Sequence, residues 1–406
     1  MSPRGSLRLP LALLLLLAAP GCHTLLPFAS GDAAWRADGA RDGSGPLPEL
    51  LSGDHLLTQG EGGAVDARLE ARSPDAARAE AGSDATAPVW VSKQVGTDAL
   101  LGLWQPPGHG QVLVLGDACK AFWLDPLTGV STSVSLGAGC TAAYSLYAAA
   151  GASARDYFVV GHNNGKVLRV TAGSLQPDEW TTPDYSRGLV RSWSGALIAV
   201  GHDGSTPTGW AAQRGDDDKW HPWDKLAYVA DLLGVASSGS TVLMVGINGT
   251  ILRLPATGAG QPLSESSGTT NDLRHVWSAA DGSWAVAVGE GPTLLQHNSA
   301  LGTWTPRTLA SLPAGLLRLH GVWAASPSRV FVVGSGASSS KQPCDELSSD
   351  AKGWLLELDL TATPPTVNDT QPATSALCTV TGASWNGKTY VIAVGESGAV
   401  LRRAPF

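Results

Sequence analysis

The stretch VLMVGINGTILRL (242–254) decides the fold. Val242 to Val245 is an unbroken aliphatic run, the composition of a strand covered on both faces. Asn248-Gly249 follows, a pair that accepts the positive φ angles of a two-residue hairpin turn. Thr250 to Leu254 then reads as a second, alternating strand. An aliphatic run ending in glycine recurs along the chain. It stands in VLVLGD (112–117), YFVVGHNNGKVLRV (157–170), LIAVGHDGS (197–205), WAVAVGEGPTLLQH (284–297), VFVVGSG (330–336) and YVIAVGESGAVLRR (390–403).

The glycines that close these runs are Gly116, Gly161, Gly201, Gly246, Gly289, Gly334 and Gly395, at successive spacings of 45, 40, 45, 43, 45 and 61. Units of about 40–45 residues with four strands each are the signature of propeller blades. Each unit opens on a strand with an aromatic near its end: Trp104, Trp193, Trp277, Trp323 and Trp385, with Tyr144 or Tyr147 in the second. An outer, fourth strand is marked by Trp180, Trp220 and Trp304, and the pairs Asn164-Gly165 and Asp203-Gly204 supply further turns. The seventh unit stops after its third strand, at Phe406, while PVWVSKQV (88–95) stands before the first unit. That segment is expected to pair with the last unit and close the ring, leaving no open sheet edge at the join. The sequence thus predicts an all-β, seven-bladed β-propeller over 89–406, closed by an N-terminal strand. A solenoid would carry distinct polar capping repeats, and none is seen.

Four cysteines fall within this region. Cys119 lies near the second-to-third-strand hairpin of the first unit and Cys140 at the start of the second. Cys344 lies in the corresponding, lengthened hairpin of the sixth unit and Cys378 at the start of the seventh. Those two places share one face of the disc, which selects Cys119–Cys140 and Cys344–Cys378 from three possible pairings. The alternative is four free buried thiols. A zinc site is disfavoured because no Cys-x-x-Cys occurs.

Glycine numbers 49 of 406 residues and charged residues are 15%, a turn-rich and weakly charged composition. A net charge of −8 argues against nucleic acid as a partner. At the N-terminus Arg4 and Arg8 precede the apolar run Leu9–Ala19 and then Pro20-Gly21-Cys22. A basic start, a short apolar stretch and a small-residue end read as an export signal over 1–22, too short to span a bilayer. A cysteine there resembles the bacterial lipoprotein signal, which implies lipidation of Cys22; plain secretion is the alternative. Residues 23–88 are rich in Gly, Ala, Asp and Arg and cannot bury enough apolar area to order themselves, so a disordered tether is expected.

The candidate binding face is the mouth of the disc, where the residues after the repeated glycines gather: Asp117, His162, His202, Ile247, Glu290, Ser335 and Glu396. A metal cluster of His162, His202 and the carboxylates is conceivable, but polar residues at a tight turn are ordinary. No nucleophile stands beside a base, so no catalytic residue, metal or cofactor is expected. Trp210, Trp220 and Trp223 lie in GWAAQRGDDDKWHPW (209–223), which reads as an exposed recognition insertion, with Asp216-Asp217-Asp218 as solvated surface or a calcium loop. A second insertion is expected over 335–377.

LHGVWAASPSRVFVVGSG (319–336) and VGINGTILRL (245–254) resemble exported bacterial β-propeller repeats, related to the photosystem II stability factor and BNR-like propellers. The Ser-x-Asp-x-Gly-x-x-Trp box of sialidases is absent. FWLDPLTG (122–129) resembles a quinoprotein-type turn and occurs once, a distant likeness to outer-membrane assembly scaffolds that does not support a quinone. The resemblance implies the fold and leaves function open. The reading is a non-enzymatic binding or scaffold protein of a Gram-negative envelope, lipid-anchored at the outer membrane or secreted, whose partner is an envelope protein or a surface glycan. A propeller enzyme of lyase, lactonase or quinoprotein type and a lectin-like glycan binder are the alternatives.

Overall fold

The structure is a computed structural model that describes residues 89–406, apart from 138, 163–165, 182–184, 205–207, 224–229, 240, 255–260, 337–343 and 345–351. The expected export signal, Cys22 and the tether lie outside the described residues, as does the turn at Asn164-Gly165. What is described is β-strand and turn, with helix limited to single 3₁₀ turns.

The strands run in short antiparallel meanders. The first strand, β1 (Trp90–Gln94), precedes the meander β2 (Leu100–Trp104), β3 (Val112–Gly116), β4 (Ala121–Leu124) and β5 (Ser131–Ser133). Next come β6 (Ser145–Ser153), β7 (Asp156–His162), β8 (Lys166–Thr171) and β9 (Ser174–Thr181), then β10 (Tyr185–Arg191), β11 (Leu197–His202), β12 (Gly209–Arg214) and β13 (Trp220–Pro222). These two meanders share one sheet, joined by the single pair Tyr185↔His162. Separate four-stranded sheets follow: β14 (Leu232–Ser237), β15 (Val242–Gly246), β16 (Ile251–Leu254) and β17 (Leu263–Glu265), then β18 (Leu273–Ser278), β19 (Trp284–Gly289), β20 (Leu294–Asn298) and β21 (Thr303–Pro306). A further sheet holds β22 (Arg318–Ser326), β23 (Arg329–Ser335), β24 (Gly353–Asp359) and β25 (Thr366–Ala373). The last three strands, β26 (Leu377–Trp385), β27 (Lys388–Gly395) and β28 (Ala399–Arg403), are completed by β1, which pairs with β28 from Trp90↔Arg403 to Gln94↔Ala399.

Packing follows from the two-faced apolar strands. Val112, Val114, Leu243, Val245, Val286, Val288, Val330 and Val332 are all buried, and each hydrophobic cluster is shared between adjacent meanders. One cluster joins Leu100, Val112 and Leu124 of the first meander to Tyr390, Ile392 and Val400 of the last. First strands lie side by side in order: β2 by β6, β6 by β10, β10 by β14, β14 by β18, β18 by β22, β22 by β26, and β26 by β2.

The repeated glycines have a steric cause. The first strand of every meander carries a β-bulge at one place, between Leu100 and Gly102, Leu146 and Ala148, Ser186 and Gly188, Leu232 and Gly234, Leu273 and His275, Leu319 and Gly321, and Leu377 and Thr379. Just ahead of it, a main-chain carbonyl swings over the glycine. Ala99 O accepts the Asp117 N–H at 2.9 Å, and Asp231, Asp272 and Ala376 accept from Ile247, Glu290 and Glu396 at 3.0, 2.9 and 2.9 Å. A β-carbon on Gly116, Gly161, Gly201, Gly246, Gly289, Gly334 or Gly395 would fall on such a carbonyl, well inside 3.0 Å. The turn after Gly246 is the expected hairpin: Asn248 and Gly249 have φ of 55° and 68°, and Thr250 N–H donates to Ile247 O at 3.1 Å.

Both disulfides form as paired from sequence. Cys119–Cys140 and Cys344–Cys378 have Cα separations of 5.8 and 5.5 Å. Each closes a loop worth about 3–4 kcal/mol on the chain-entropy account.

Candidate functional site

The bulges build a cavity. Their extra residues are Leu101, Tyr147, Arg187, Leu233, Arg274, His320 and Cys378, and all seven line a space of about 290 Å³ between the first strands. Of these, the sequence reading singled out only Tyr147, as a candidate repeat aromatic, and Cys378, as a disulfide partner, and neither as part of a cavity. The remaining wall is largely apolar, with Leu103, Leu189, Val235, Val322 and Val380, and Trp104, Trp277 and Trp323 occupy one register position farther along.

Charge enters the wall through arginine. The buried Arg187 guanidinium lies over the Tyr147 and Tyr185 rings, 4.5 and 4.9 Å from their centroids. Arg274 donates to Glu290 at 2.7 Å, and Arg318 approaches the same carboxylate at 3.6 Å. Two wall histidines are held neutral. Burial pushes His275 down to about 4, and burial with the nearby Arg274 and Arg318 pushes His320 down to about 3. His320 is hydrogen-bonded to Ser335 Oγ at 2.8 Å. No carboxylate belongs to the wall among the described residues.

At the expected mouth, His162 and His202 do come together, but as a stack. Tyr185 sits between them, with ring centroids at 4.1 Å from His162 and 4.6 Å from His202. The intervening ring separates the imidazoles, so they do not converge on a shared ion. Burial, then the neighbouring Arg187, lowers His202 to about 4. Asp117 and Ile247 take their places through the main-chain hydrogen bonds given above, and Glu290 holds the arginine pair. The buried Glu396 lies within 4.8 Å of Cys344 and Cys378 Sγ, but those sulfurs form a disulfide and leave no thiolate to ligate a metal.

The stretch 209–223 is corrected by the structure. It is not an exposed insertion but β12, a tight turn and β13, paired from Arg214↔Trp220 to Ala212↔Pro222. Trp220 is buried edge-on against Phe158, Trp210 packs across Gly201, and Trp223 lies half-buried against Ile198 and Val200. The turn is exposed, as are His221 and Pro222 of β13, and two of the turn's acids are paired: Asp217 with the His221 imidazole at 2.9 Å and Asp218 with the Arg214 guanidinium at 2.6 Å. The expected insertion 335–377 likewise contains β24 and β25, so the extra length falls in the β23–β24 connection that holds Cys344. Trp193 lies beyond β10 and is exposed, Trp385 is seven residues past the bulge at Cys378, and the side chain of Trp180 lies outside the described residues.

No family model and no curated protein matches the chain. Among solved structures it is similar in fold to the chain titled "YCF48 bound to D1 peptide", with a TM-score of 0.55 and 13% identity, covering 77% of this chain and 96% of that one. That likeness is one of fold: an all-β, propeller-type assembly of four-stranded antiparallel sheets.

Proposed function

We propose that this chain is a non-enzymatic binding scaffold of the cell envelope, built as a closed seven-bladed β-propeller on a lipid-anchored tether. The observation that carries the binding reading is the fold itself, a stack of rigid sheets similar to a chain whose structure holds a peptide. The seven-bladed, closed form is supported by the pairing of β1 with β28 and by the order of first strands, in which β26 neighbours β2. Anchoring through Cys22 rests on the leader sequence and export on that leader together with the disulfides. A protein partner is favoured over a glycan, because Trp220 is buried and Trp210 and Trp223 are half-buried in sheet packing, not free to stack on sugar rings.

Affinity capture from envelope extracts with the full chain tests this reading. The expected result is a discrete protein partner that is lost when exposed Trp193 and Trp385 are changed to Ala, with the folded state unchanged. Capture of no protein, or capture untouched by both changes and by charge reversal at Asp216, would count against it. Mass spectrometry of the mature N-terminus is expected to find a diacylglyceryl adduct on Cys22; an unmodified cysteine or a start elsewhere would remove the anchor.

A further inference from the structure

We propose that the cavity between the first strands is a binding site for a small organic acid, its carboxylate received by Arg187 and Arg274 and its apolar body by Leu101, Leu103, Val235 and Val322. Four observations converge on it. The chain carries a net charge of −8, yet the described cavity wall holds arginine and no carboxylate. The acids nearest these arginines, Glu290 beside Arg274 and Asp231 near Arg187, are not among the wall residues. Both wall histidines are neutral near pH 7 because they are buried, so they contribute hydrogen bonds without charge.

The third observation is orientation. Arg187 is seated on two tyrosine faces and Arg274 is braced by Glu290, so neither guanidinium has to give up much side-chain freedom on receiving an anion. Against a largely apolar wall a charge-assisted hydrogen bond to such a group is worth more than at the surface. The fourth is size and polarity. A volume of about 290 Å³ sits at the lower end of the range of small-molecule sites, and most of the wall is aliphatic or aromatic. A compact acid with an apolar body fits both properties, whereas bare phosphate would leave the aliphatic wall uncovered.

The position is also hidden from sequence comparison within the chain, since the seven bulge positions hold five residue types. That variability is what a ligand site on a repeated scaffold requires, for a symmetric ring of one residue type would not distinguish the ends of a ligand.

Calorimetric titration of the full chain with benzoate, hexanoate and succinate, beside benzyl alcohol and inorganic phosphate, tests the proposal. At least one carboxylate is expected to bind saturably at one site per chain. Its affinity should fall about tenfold or more in Arg187→Met and in the cavity-filling Leu233→Trp, and change about threefold or less in Arg187→Lys. If a variant fails to fold, the wild-type comparison still decides. Benzyl alcohol binding as tightly as benzoate would make this an apolar cavity only, and phosphate binding as tightly as any carboxylate would make it a bare-anion site. Either result, or no saturable carboxylate binding, overturns the proposal.

Discussion

A carbonyl lying over a Cα atom leaves no room for a methyl group, and that contact explains Gly246 better than any turn preference does. Gly246→Ala would drive the new β-carbon into Asp231 O, a backbone atom that cannot rotate away. The expected cost is about 3 kcal/mol, read as a lower urea midpoint at unchanged m. Gly173 provides the control, because a β-carbon there meets nothing within 4 Å and only its φ of 80° is unfavourable. Gly173→Ala should cost about 1 kcal/mol. If the two variants lose the same stability, crowding is not why the repeat keeps its glycine. This residue was legible in the sequence because the same clash recurs in each meander and leaves the same letter. Arg187, Arg274 and His320 were not, since the bulge they occupy constrains the backbone and leaves the side chain unspecified.

At the scale of elements, strand content followed directly from the aliphatic runs, and the hairpin turn at Asn248-Gly249 from its residue types. The misreadings came where side-chain chemistry was judged without its pairing partners. The Trp-rich stretch 209–223 looks exposed by its acids, yet Trp220 sits opposite Arg214 in a ladder and its ring points inward onto Phe158. β1 provides the sharpest test at this scale. It contributes a full edge of main-chain hydrogen bonds to β28, and Trp90 Nε1 donates to Asp369 of β25 at 2.9 Å. Beneath it Arg403 bridges to Glu357 and lies over the Trp90 and Phe331 rings. A chain beginning at Thr97 should therefore unfold at lower urea and scatter more light, and a synthetic peptide of residues 88–95 should reverse both effects. Equal stability with and without the segment would show the pairing to be idle.

For the whole molecule, the neutral histidines around the cavity set an acid limit on stability. His275 in the folded chain titrates near 4 and His320 near 3, below the ordinary value of 6.5. Between those values the unfolded chain takes up protons that the folded chain refuses, so their contribution is complete above about pH 6.5 and lost progressively toward pH 4. Urea unfolding should show a smaller loss between pH 7 and pH 4.5 in His275→Gln than in the parent, by about 2 kcal/mol. An unchanged pH difference would mean that His275 is hydrated and titrates normally.

The partnership of β1 with β28 also orders events in time. Trp90–Gln94 leaves the ribosome before every other strand of this domain, while Ala399–Arg403 leaves last. Every nascent species must then keep its earliest strand waiting through some three hundred residues of synthesis, with a bare ladder of amides at one end and a growing stack at the other. The native hydrogen bonding of this domain is therefore complete only once Ala399–Arg403 has emerged, and the edge of Trp90–Gln94 stays without its native partner through nearly all of the domain's synthesis.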